Sequence, residues 1–100
     1  MLEKHIEQYL VKKTRDRGGI CLKLACTGID GVPDRLVLLP DARAGFVELK
    51  APGKKPRPLQ RLRMKQLEQL GYKCFVADSK ETVIDVLREI GGDNDEIRSA

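Results

Sequence analysis

Apolar residues in the first stretch recur at Leu2, Ile6, Tyr9 and Leu10, the spacing of one helical face, and this predicts a helix over residues 2–17 that Gly18-Gly19 stops. Residues 20–26 (ICLKLAC) alternate as a strand does, with Lys23 among apolar neighbours. A glycine- and proline-containing loop over 27–33 leads to the apolar run Leu36-Val37-Leu38-Leu39. The turn Pro40-Asp41-Ala42-Arg43-Ala44-Gly45 then feeds Phe46-Val47-Glu48-Leu49-Lys50, so these two runs read as neighbouring antiparallel strands. Three prolines and a glycine over 51–58 exclude helix or central strand there. Pro58 suits the first turn of a helix that runs to Leu70, with Leu59, Leu62, Leu67 and Leu70 inward and Gly71 as its cap. Residues 72–77 form a short strand. Asp78 or Ser79 caps a last helix through Ile90, with Val83, Ile84, Val86, Leu87 and Ile90 on its buried side. The order αβββαβα is that of an α/β fold, a small mixed β-sheet flanked by helices. Residues 1–92 read as one domain and 93–100 as a flexible tail.

Alternation also places chemistry. Glu48 and Lys50 point to one face of their strand and Leu49 to the other, and pairing with the preceding strand can set Asp34 beside Glu48. Two carboxylates, with water or a backbone carbonyl, suit a hard divalent cation such as Mg2+. A lysine beside them can position or activate a water, or stabilise charge developing on a phosphate. Glu-x-Lys alone is a common tripeptide, and as a surface ion pair it would contribute little. Asp30, nearby, is accounted for by turn chemistry.

Charge changes the picture more than composition does. The chain carries a net charge of +4, and from Lys50 to Lys65 it holds seven cations and no acid. Lys54, Lys55, Arg57 and Arg61 in this stretch, with Lys23, are candidate contacts to a polyanion such as DNA. Four aromatic residues leave the core to Leu, Ile and Val. The single histidine, His5, excludes a histidine-rich metal site and belongs on the surface of the first helix. Cys21, Cys26 and Cys74 follow no C-x-x-C spacing and read as buried, reduced thiols of a cytoplasmic protein. The apolar runs are too short to span a bilayer, and the N-terminus lacks the apolar region of a signal peptide.

The string G-V-P-D, with E-L-K placed so that Glu48 lies fourteen positions after Asp34, resembles the PD-(D/E)xK nuclease signature. The fuller pattern G-x-P-D-R-L…F-V-E-L-K-A…Q…L…G resembles the virus-type replication-repair nuclease (VRR-NUC) domain from Glu3 to about Ile90. The resemblance implies a restriction-endonuclease-like core and a DNA endonuclease dependent on Mg2+ or Mn2+, with no organic cofactor. It implies a metal site of Asp34, Glu48 and the Leu49 carbonyl, completed by a glutamate of the first helix. Glu3 matches that position, and Glu7, one turn on, is its rival. Lys50 would be the catalytic lysine, and Gln60 would assist by binding a water or a phosphate oxygen. Members of this size resemble Holliday junction resolvases, which implies a homodimer cutting branched or four-way junction DNA in DNA repair, and a phage or prophage source. The alternatives are a flap, nicking or restriction-type endonuclease, or a DNA-binding or partner-dependent subunit of a replication-repair complex.

Overall fold

The computed structural model describes residues 1–92, in the order α1 (Glu3–Asp16), β1 (Ile20–Lys23), β2 (Arg35–Leu39), β3 (Arg43–Leu49), α2 (Pro58–Gln69), β4 (Cys74–Ala77) and α3 (Lys80–Gly91). This is the α/β arrangement that the hydrophobic pattern predicts. The expected tail, 93–100, lies outside the described residues.

The four strands form one sheet in the order β1-β2-β3-β4. β1 with β2 and β2 with β3 are antiparallel; β3 with β4 is parallel, joined through α2. A parallel neighbour requires a long crossover, and α2 supplies it. Val37 and Leu39 of β2, Val47 and Leu49 of β3 and Ala77 of β4 turn to one face. There they meet Ile6 and Leu10 of α1 and Val83, Val86, Leu87 and Ile90 of α3, forming the core. Fully burying such an apolar side chain contributes roughly 1.5–3 kcal/mol. The spacing in α1 continues to Thr14, whose buried hydroxyl donates to the Leu10 carbonyl at 2.7 Å and so carries no unpaired polar atom inward. Gly19 follows because a Cβ there would lie 2.2 Å from the Leu38 carbonyl oxygen.

Several expectations change, and β3 begins at Arg43, inside the stretch expected as turn. Leu2 is exposed, and the buried stripe of α1 begins at Ile6. β1 ends at Lys23, although the Leu24 N–H still donates to the Asp34 carbonyl at 2.9 Å before the chain leaves the sheet. Tyr72 belongs to the closure of α2, its N–H bonded to the Leu67 carbonyl at 3.0 Å, so β4 starts at Cys74. The three thiols are free, but Cys26 is exposed in the β1–β2 loop while Cys21 and Cys74 are half-buried. His5 is exposed, as expected. Ser79 is the N-cap of α3, accepting from the Thr82 N–H at 3.0 Å, and Asp78 accepts from the Thr82 hydroxyl at 3.4 Å.

The second face of the sheet is covered unevenly. Gln60 of α2 reaches it over β3, but on the β1–β2 half the cross-strand pair Ile20 and Leu38 stays 61% and 37% exposed, and Leu22 is 41% exposed. α2 itself departs from expectation. Leu59, Leu62 and Leu70 are exposed, Leu67 is half-buried, and the one buried residue of the helix is Gln60. A helical stripe of leucines says which side is apolar but not what lies against it.

Among the described residues no helix is long and apolar enough to cross a membrane.

Candidate active site

The site forms where β2 begins and β3 ends. Arg35 pairs with Val47, so one further step of the same register sets Asp34 against Glu48. The Asp34 side chain continues the ladder itself: its Oδ2 accepts from the Leu49 N–H at 3.0 Å. Pro33, buried just before it, fixes the extended entry of the chain into the strand. Strand alternation turns Asp34 and Glu48 away from the core, onto the face that α2 reaches.

Glu48 is 1% exposed, which is costly for a carboxylate unless it is paired. One of its oxygens is paired twice. Oε2 accepts from Gln60 Nε2 at 2.7 Å and lies 3.3 Å from Lys50 Nζ. Oε1 is buried and has no hydrogen-bond partner. Burial, and then the negative charge of Asp34, push the Glu48 carboxyl above its ordinary value; Lys50 opposes them without cancelling them. Two acids and a lysine therefore meet around one unsatisfied oxygen.

Gln60 is held at both ends. Its Oε1 accepts from the Arg57 N–H at 2.8 Å, closing the first turn of α2, while its Nε2 grips Glu48. Its amide is thus engaged at both atoms within the protein. It anchors α2 to the site and fixes which Glu48 oxygen is engaged.

Of the first-helix glutamates, Glu7 turns away from this cluster. Glu7 lies on the helix-covered face, where its Oε2 is 2.9 Å from Arg35 Nη2 and 3.8 Å from Lys23 Nζ. Register explains the separation: Lys23, Arg35 and Val47 share the core face, opposite Asp34 and Glu48. Lys23, expected as a contact to DNA, has Glu7 as its partner there. Glu3 is exposed in the first turn of α1. No group of three or more His, Cys, Asp or Glu side chains placed to hold a metal occurs among the described residues. Lys54, Lys55, Arg57 and Arg61 are exposed on the loop and helix that follow Lys50. That loop is tied to the β4–α3 junction by the Gly53 N–H, which donates to Asp78 Oδ2 at 3.4 Å.

Arg35 was not singled out from the sequence. It joins α1 to the start of β2 through Glu7 and to β1 through the Cys21 carbonyl at 3.3 Å, and so steadies the residue next to Asp34. Its place in the Asp34-Arg35 pair was the available signal, since alternation sends neighbouring strand residues to opposite faces.

A hard cation fits the donors present. Glu48 Oε1 lacks a partner, Asp34 has a second carboxylate oxygen beyond the one bound to Leu49, and Mg2+ characteristically takes one or two carboxylates and keeps several waters. The Leu49 carbonyl remains a candidate third donor; it is the Leu49 amide that engages Asp34.

No protein-family model matches the chain. It is 47% identical over 79 residues to the "Putative nuclease p44" of Acyrthosiphon pisum secondary endosymbiont phage 1, covering 79% of this chain and 85% of that protein. A solved structure described as a VRR_NUC domain superposes with a TM-score of 0.79 at 32% identity, covering 89% of this chain and 97% of its own. Fold, extent and identity agree with the G-x-P-D-R-L…F-V-E-L-K pattern: the chain belongs to the VRR-NUC family of nucleases.

Proposed function

We propose that the protein is a metal-dependent DNA endonuclease, selective for branched DNA and working as a homodimer in the manner of a Holliday junction resolvase. The observation that carries the chemistry is the unpartnered, buried Glu48 Oε1 beside Asp34, with Lys50 and Gln60 both on the other oxygen. Asp34 and Glu48 would hold Mg2+ or Mn2+. When bound, the ion polarises the scissile phosphate and makes water more acidic. Lys50, its side chain 15% exposed and directed at Glu48, orients the attacking water and sets positive charge against the phosphate. Gln60 keeps Glu48 Oε2 occupied so that Oε1 faces the cation. Lys54, Lys55, Arg57 and Arg61 draw the DNA backbone to the site through a sequence-independent attraction.

The homodimer reading rests on the second sheet face. Ile20, Leu22 and Leu38 form an exposed apolar strip on the same face as Glu48, and a second copy would cover it. Two sites on two strands suit a four-way junction. The setting would be the cytoplasm of a bacterial or phage-infected cell.

The test is cleavage of a labelled four-way junction and a matching linear duplex in Mn2+, Mg2+ or EDTA. Paired cuts in the junction are expected, lost in EDTA and in Glu48→Ala. Lys50→Ala is expected to retain DNA binding but to lose about 100-fold or more in cleavage. Normal cutting by Lys50→Ala would overturn the mechanism. Metal-independent binding without cuts would replace the enzyme with a DNA-binding or partner-dependent protein, and preference for flap, nicked or linear substrates would replace the resolvase.

A further inference from the structure

Leu59 of α2 lies against the β1–β2 loop at Gly31, three residues before Asp34, and precedes Gln60, whose amide touches Glu48. It is 41% exposed, and Leu62, one helical turn on, is 49% exposed. Leu59 is nevertheless rigidly backed. The β1–β2 loop closes on it at Gly31, where a Cβ would lie 2.9 Å from Leu59 Cγ and 3.1 Å from the Leu59 carbonyl oxygen. Gly31 also has a φ of +82°, so both conformation and space require glycine. Arg63 pins the loop from the same helix, its Nε donating to the Asp30 carbonyl at 2.7 Å. The pinned loop carries Ile29, 42% exposed.

Every charged residue from Lys50 to Lys65 around these leucines is a cation. Phosphates would be drawn to that surface, yet an intact duplex stacks its base faces on one another and leaves leucine only sugar edges and groove groups such as the thymine methyl. The largest apolar surface of DNA is the face of a base, which is free where pairing is interrupted. None of the four aromatic residues, Tyr9, Phe46, Tyr72 and Phe75, lies in the loop or helix that frames this edge of the site, so aromatic stacking is not offered by those elements.

We infer that Leu59 is a wedge that receives an unpaired base beside the scissile phosphate, selecting DNA with interrupted pairing over continuous duplex. Apolar side chains set among cations serve this purpose where they enter a base step. A lone leucine cannot repay the unstacking of a paired base, but it can hold one already released, for which that cost is smallest. This inference rests on the nuclease reading and supplies its source of substrate selectivity.

The test uses a junction carrying 2-aminopurine at the branch, in Ca2+ to suppress cleavage, followed by cleavage of junction and duplex in Mn2+. Wild type is expected to raise the 2-aminopurine fluorescence several-fold and to prefer the junction. Leu59→Ala, an exposed change that leaves the core intact, should lose the fluorescence rise and about tenfold of the junction-to-duplex cleavage ratio, with duplex cleavage retained. An unchanged ratio and unchanged fluorescence in Leu59→Ala would overturn the wedge while leaving the nuclease standing. Conversion of a dimer to a monomer by Leu59→Ala in sedimentation would overturn it in favour of a second copy as occupant. Failure of wild type to bind or cut any DNA would remove both readings.

Discussion

Glu48 shows how the site is tuned at the scale of one side chain. Its carboxyl ordinarily titrates at 4.5, and burial followed by the charge of Asp34 raises that value. Below the ordinary value both folded and unfolded chains hold the proton, and the group contributes nothing to pH dependence. As pH rises past it, the unfolded chain releases the proton first, so the fold loses stability until Glu48 ionises in place. Glu48→Gln removes this loss. The stability of the variant relative to wild type is therefore expected to rise with pH above 4.5 and then level off. Urea denaturation across pH 4.5 and upward, in EDTA, checks it; a difference that stays flat would mean Glu48 ionises normally. Asp34, Glu48 and Lys50 were legible in the sequence because alternation and a short hairpin fix which side chains share a face. The position of Glu7 was not. Helical spacing puts Glu3 and Glu7 on one side of α1, but only strand register shows that Arg35 waits for Glu7 on the far side of the sheet.

Among the elements, the β2–β3 hairpin matters most, because its register sets Asp34 against Glu48. Its turn contains Asp41 and Ala42 at φ +67° and +60°. Aspartate tolerates that region, whereas the Cβ of alanine is crowded there. Ala42→Gly relieves the crowding at some cost in chain entropy, for a net gain of about 0.5–1 kcal/mol. Urea melts should show a higher midpoint with an unchanged slope; a lower midpoint would place the strain elsewhere. Turn residues announced this hairpin in the sequence, but its left-handed residues are read only from the backbone. α2 taught the opposite lesson. Its spacing predicts inward leucines, yet Gln60 alone is buried, held on Glu48, while Leu59, Leu62 and Leu70 stay exposed.

The whole molecule has one closed face and one partly open face. α1 and α3 seal the first over the core, and the second carries both the Asp34 and Glu48 carboxylates and the exposed strip on β1 and β2. The element order made the layers legible; which half of the second face stays bare depends on where α2 lands, and no local pattern encodes that. If a second copy covers the strip, the two sites are held on one side of a shared body, as simultaneous cutting of two strands requires. Ile20 and Leu38 face each other across the strands. Ile20→Lys with Leu38→Glu replaces an apolar pair by an opposite-charge pair that the sheet accepts, while removing the apolar contact between copies. The double variant should sediment as a monomer and still nick a cruciform plasmid, but should no longer linearise it by paired cuts within one encounter. A variant that remains dimeric would place the contact on another surface. A monomeric variant that still makes paired cuts would show that dimerisation is not what couples the two strands.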